Sequence, residues 1–163
     1  MSSPSKLPRR VSALVCDFDG VFTDNKVLVM EDGTEGVICC RGDGMGIELL
    51  RNDKIPTVVI SKEKNPVVTA RCLKMNTECF QGIDNKASLL TQWAQQNNIL
   101  LKNIVYVGND INDIECLKIV GCAVVVADTH QDVLEFADIV LKTNGGHGAV
   151  REICDLIHEH ITS

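Results

Sequence analysis

The chain is poor in the features that mark several large classes of protein. No apolar run in its 163 residues approaches the roughly 20 that a membrane-spanning helix needs. Positive charge is in deficit: 16 Lys and Arg stand against 22 Asp and Glu, a formal charge of −6, which leaves no basic footprint for nucleic acid or an anionic membrane. The first ten residues are polar, carry Pro4 and Pro8, and lack the apolar stretch of a secretion signal. They read as a flexible leader or linker, of the kind that joins a domain to a longer protein, and Lys6, Arg9 and Arg10 are a weak match to a nuclear address. There is no C-x-x-C among the eight cysteines; Cys39-Cys40 is an adjacent pair, and Cys16, Cys72, Cys116, Cys122 and Cys154 sit in mixed apolar sequence. Free cysteine behaves as a small buried hydrophobe, so this usage predicts a reducing, intracellular compartment without structural disulfides or zinc. Internal repeats and low-complexity tracts are also missing.

What is present is a single domain's worth of alternating strand-like and helix-like segments over residues 11–163. Val11–Cys16, Pro56–Ile60, Ile104–Val107, Cys122–Ala127 and Ile139–Leu141 read as buried strands. Gly46–Asn52, Asn65–Met75, Asn85–Asn97, Asn112–Val120, Gln131–Phe136 and Gly148–His160 read as helices, and Arg41-Gly42-Asp43-Gly44 as a tight loop. Lys26–Glu31 and Gly36–Cys40 flank Asp32-Gly33-Thr34-Glu35, a hairpin signal. Strands separated by helices imply an α/β fold, a Rossmann-like parallel sheet covered on both faces, with a small β-hairpin beside it. Ligands of such sheets bind beyond the carboxyl ends of the strands.

The residues at those ends carry the chemistry. Asp17-Phe18-Asp19-Gly20 follows the first strand; alternate side chains on an extended backbone face one way, so Asp17 and Asp19 crowd one space. Two like charges that close need a proton or a cation, and Mg²⁺ suits a few carboxylate oxygens. Ser61 and Lys62 follow the second strand, Lys86 opens a helix, and Gly108-Asn109-Asp110-Ile111-Asn112-Asp113 follows the strand Ile104–Val107. Alone, Lys86 would be an ordinary solvated lysine; in this set it has a use. An acid pair, a hydroxyl, a lysine and a second acidic cluster suit phosphoryl transfer: a carboxylate nucleophile, a carboxyl acid/base, and donors for phosphate oxygens. Trp93 reads as packing, and His130, His158 and His160 as solvent-facing.

These four motifs resemble those of the haloacid dehalogenase superfamily of phosphatases. The resemblance implies Asp17 as nucleophile, Asp19 as general acid/base, Ser61 and Lys86 as phosphate contacts, and Mg²⁺ held by Asp17, the main-chain carbonyl of Asp19 and the fourth motif. Arg41-Gly42-Asp43-Gly44-Met45-Gly46-Ile47 and Gly145-Gly146-His147-Gly148 look like the small-cap phosphatases of 3-deoxy-sugar acids, which implies Arg41 and Lys62 at the substrate and a homotetramer built through hairpin and tail. The whole chain also resembles the C-terminal domains of vertebrate CMP-sialic acid synthetases, which implies an N-terminal cytidylyltransferase domain on the same chain and a nuclear location.

Two positions depart from the phosphatase pattern. Asn109 stands where active relatives carry Asp, so metal affinity should fall unless Asp110 or Asp113 compensates, since an amide oxygen brings no charge. Ser61-Lys62-Glu63 replaces Thr-Gly-Arg, putting a long side chain near the phosphate position. The expectation is a degenerate phosphatase domain serving assembly; the alternative is a working Mg²⁺-dependent phosphatase of a nonulosonate 9-phosphate acting through an aspartyl-phosphate.

Overall fold

The computed structural model describes residues 6–163. Six strands form one parallel sheet in the order β5-β4-β1-β6-β7-β8: β1 Ala13–Cys16, β4 Thr57–Ile60, β5 Glu78–Phe80, β6 Ile104–Gly108, β7 Cys122–Val125 and β8 Ile139–Val140. The strands of the middle of the sheet are buried throughout, as continuous β-branched runs covered on both faces must be. Alternate residues feed opposite layers. Leu14, Cys16, Val105 and Val107 pack with Ile47, Leu50, Ile153 and Ile157 on one side. Ala13, Val15, Ile104 and Tyr106 pack with Leu90, Trp93 and Leu117 on the other. The helices are α1 Arg41–Asn52, α2 Val67–Lys74, α3 Lys86–Gln96, α4 Ile114–Leu117 and α5 Ala149–Thr162. The hairpin is a separate two-stranded antiparallel sheet, β2 Leu28–Val29 with β3 Glu35–Gly36. The α/β architecture predicted from the alternation is the one observed.

Three local expectations need correction. The glycine-rich segment from Arg41 is no tight loop but the first turns of α1. Gly46 is there for packing: a Cβ on it would lie 2.9 Å from the Cβ of Cys154 and 3.1 Å from the Cα of Arg151, so α1 and α5 approach backbone to backbone. β5 reads poorly in sequence because it is a three-residue, half-exposed edge strand. His158 and His160 are half-buried, bonded to Asp53 (2.7 Å) and to the carbonyl of Pro8 (2.9 Å). Of the segment read as a leader, residues 1–5 lie outside those described; Leu7 is buried in the core, and Lys6 donates to the Asp138 carbonyl at 2.5 Å. All eight cysteines are free thiols, and burial raises those of Cys16, Cys116, Cys122 and Cys154.

Asp43, fully buried in α1, accepts from the Arg151 N–H at 2.9 Å and so ties α1 to the first turn of α5. Its second oxygen has no partner, and burial pushes its carboxyl up to about 6, against the Arg151 N–H hydrogen bond and the charge of Arg71. A carboxyl held above its unfolded value contributes stability that is complete below the unfolded pKa and is lost as pH rises through the folded one. Urea unfolding should therefore show wild type losing stability relative to Asp43→Asn between about pH 4 and about pH 7. Parallel pH profiles for the two proteins would contradict this.

Candidate active site

β1 lies where the sheet order reverses: the chain runs outward from it through β4 to β5, then crosses back to β6 on its other side and continues to β7 and β8. Cys16 pairs with Val59 and with Val107, so the three strands end at one level. Their next residues converge on a cavity of about 690 Å³ lined by Asp17, Asp19, Ser61, Lys62, Asn109 and Asp110, among others. The sequence-predicted motifs are thus brought together at the carboxyl edge of the sheet.

Asp17 is 4% exposed, and its Oδ1 lies 2.8 Å from Lys86 Nζ and accepts from the Phe18 N–H at 2.7 Å. Lys86 also donates to Asp113 Oδ1 at 2.9 Å. The ammonium group therefore sits between two buried carboxylates. Burial drives the Asp17 carboxyl up to about 7, with Asp113 adding to the rise and Lys86 opposing it. Burial works to lower the Lys86 pKa, but Asp17 and Asp113 outweigh it and carry the ammonium above its usual range. Asp19 is raised as well, by burial and by Glu63 and Glu35, with Lys86 opposing.

Asp113 is placed differently from expectation. Its oxygens are taken by Lys86, by the Tyr106 hydroxyl (2.7 Å) and by the N–H groups of Asn109 (2.9 Å) and Asp110 (3.3 Å), and it lies behind the cavity wall. It organises the fourth motif and does not face the cavity. Tyr106 escaped the sequence reading because it is buried inside an apolar strand; its position three residues before Asn109 was the available signal. Arg41 is not brought to this cavity; it lines a separate concavity with Gly44, Met45, Glu48 and Arg71. Lys62 does line the cavity, with Ser61, whose hydroxyl oxygen accepts from the Glu63 N–H at 3.1 Å. Asn25, Glu63, Lys64, Asp84, Ile111 and Asn112 complete the lining; sequence reasoning had no rule to select them.

The lining carries five carboxylates (Asp17, Asp19, Glu63, Asp84, Asp110) and two lysines (Lys62, Lys64). Such a cavity attracts a cation before it attracts a phosphate. Among the described residues no three His, Cys, Asp or Glu side chains converge as a metal set. The donors that do converge are mixed: Asp17 Oδ2, the Asp19 carbonyl and the Asn109 amide, with 2.9 and 3.2 Å from the amide to the two oxygens. A carboxylate, a carbonyl and an amide are all usable ligands for a hard divalent cation, so the donor set fits Mg²⁺ in kind while bringing only one negative charge.

A model of haloacid dehalogenase-like hydrolases matches residues 59–153, more than half of the chain. The 3-deoxy-D-manno-octulosonate 8-phosphate phosphatase of Escherichia coli (strain K12) is 34% identical over 148 residues, covering 90% of this chain and 79% of the relative. The chain belongs to the haloacid dehalogenase-like hydrolases. Within that family its solved relatives are close in shape. A HAD family hydrolase from Streptomyces avermitilis has 42% identity and a TM-score of 0.88, covering 91% of this chain and 86% of the other. The 3-deoxy-D-manno-octulosonate 8-phosphate phosphatase of Moraxella catarrhalis, solved with magnesium, phosphate and a KDO molecule, has 26% identity and a TM-score of 0.90, covering 95% and 89%. The likeness to these sugar-acid phosphatases covers 90% of the chain in the Escherichia coli relative and 95% in the Moraxella structure.

Proposed function

We propose that the cavity is a phosphatase-type site for the phosphate monoester of a 3-deoxy-ulosonate or nonulosonate sugar acid, with hydrolysis slowed by Asn109. The observation that carries this reading is the buried Asp17–Lys86–Asp113 array at the carboxyl end of β1, a fixed carboxylate beside a cavity. Asp17 attacks phosphorus and the bond from phosphorus to the sugar oxygen breaks, leaving an aspartyl-phosphate. Asp19, whose carboxyl is raised by burial, gives a proton to the leaving oxygen and then takes one from the water that cleaves the acyl-phosphate. Ser61 and Lys62 hold phosphate oxygens, and Lys86 keeps Asp17 in place. Mg²⁺, present in the Moraxella relative, would be held by Asp17, the Asp19 carbonyl and the Asn109 amide oxygen, with Asp110 adjacent, and supplies charge neutralisation for the phosphoryl oxygens when bound. Phosphate release with Mg²⁺, compared with Asp17→Asn, is the test.

A second reading rests on a different observation. Val27, Leu28, Val29, Met30 and Ile38 on and beside the hairpin are each at least half exposed, an apolar patch out of keeping with a solvated surface. On this reading the domain assembles a homotetramer through hairpin and tail, and does so for a CMP-sialic acid synthetase whose N-terminal cytidylyltransferase domain and nuclear location are supported by sequence resemblance alone. Light scattering at micromolar concentration should then find a tetramer for wild type and a smaller species for Leu28→Asp. A wild-type monomer would sink the assembly role.

A further inference from the structure

Asn109 is placed where it can do the work of the cation it was expected to hold. Its side chain is 7% exposed. Its neighbours favour one orientation when no cation lies between them: with nitrogen inward, the amide would donate to the Asp19 carbonyl at 2.9 Å and to Asp17 Oδ2 at 3.2 Å, whereas the reverse sets oxygen against two oxygens. Its backbone is anchored on both sides, the N–H to Asp113 Oδ2 at 2.9 Å and the carbonyl to Thr129 Oγ1 at 2.9 Å and the His130 N–H at 2.8 Å. Gly20, with φ +80°, lies directly against the amide; a Cβ there would fall 1.9 Å from the amide's outward-facing atom, which is its oxygen when the nitrogen is inward. The group is wedged in place and free only to turn about its own last bond.

We propose that the Asn109 carboxamide is a built-in substitute for the divalent cation: its NH₂ group bridges Asp17 and the Asp19 carbonyl, satisfies them without metal, and must turn over before Mg²⁺ can enter. The bridge completes a closed set, because Asp17 Oδ1 is already held by Lys86 and the Phe18 N–H. A carboxylate at the same position has no proton to donate and would leave three oxygens facing one another, a site that demands a cation. This inference rests on reading the cavity as a phosphatase-type site, but its test needs no turnover.

Thermal unfolding and calorimetry of the full chain with chelator and with millimolar MgCl₂ provide that test. Wild type, in which Mg²⁺ must displace the amide bridge and so binds weakly, should shift much less between the two than Asn109→Asp. Asn109→Asp should unfold earlier than wild type in chelator, recover in Mg²⁺, and bind Mg²⁺ at least about tenfold more tightly. Wild type stabilised by Mg²⁺ as much as Asn109→Asp, or Asn109→Asp as stable as wild type in chelator, would overturn the proposal. Should that variant not fold, hydrogen exchange of the Asn109 side-chain amide in the ¹⁵N-labelled wild type decides: slow exchange supports the bridge, and exchange as fast as that of exposed Asn98 overturns it. Absent phosphate release with these results intact would count against the hydrolytic reading alone.

Discussion

Replacing Asp17 by Asn should remove Mg²⁺-dependent phosphate release from sugar-acid phosphates, a loss of about 10³-fold or more, because no other group at the carboxyl end of β1 can take the phosphoryl group. Asp19 is the nearest alternative, but its expected role is proton transfer. The variant should keep its fold. An amide oxygen at position 17 can still accept from Lys86 and the Phe18 N–H, which hold Oδ1 in the wild type at 2.8 and 2.7 Å. Circular dichroism and the unfolding midpoint check that the loss is chemical and not structural. Equal release by wild type and Asp17→Asn would mean that Asp17 is not the nucleophile.

Lys86→Met should be the most destabilising single change at the site, costing about 3–5 kcal/mol at neutral pH. The lysine side chain is 2% exposed and the carboxylates of Asp17 and Asp113 are 6% and 0% exposed, so removing the ammonium leaves two like charges buried and unpaired. The pH dependence has a definite sign. Without Lys86 the carboxylates relax only by taking up protons, so the deficit should shrink on acidification through the raised Asp17 pKa of about 7 and grow above it. Urea denaturation at several pH values measures this. A loss below about 1 kcal/mol at pH 8 would indicate that the pair is solvated and the array is not the structural centre of the site.

Much of the molecule was legible in sequence because its signals are local. Continuous apolar runs such as Val58–Ile60 can only be doubly covered strands, and the polar residues that follow them are placed at one edge by topology alone. Asp17, Ser61 and Asn109 were found in this way. What was not legible depends on partners distant in sequence. The glycines of α1 read as a loop because the reason for Gly46 is Cys154 and Arg151 on α5. Asp113 read as a possible metal ligand because nothing near it in sequence shows that Lys86 and Tyr106 consume its carboxylate. Arg41 read as a substrate contact by resemblance, yet within this chain it lies on another surface. Asn109 was noticed as a missing charge; that it also supplies two donors follows only from where Asp17 and the Asp19 carbonyl sit around it.

The account of the site turns on that one amide. The most direct test is the initial rate of phosphate release from 3-deoxy-D-manno-octulosonate 8-phosphate at saturating Mg²⁺, for wild type and Asn109→Asp side by side. A slow, Mg²⁺-dependent rate in wild type that rises about tenfold or more in Asn109→Asp is the predicted result. Equal rates in the two proteins would contradict it, and release by neither would contradict the hydrolytic reading.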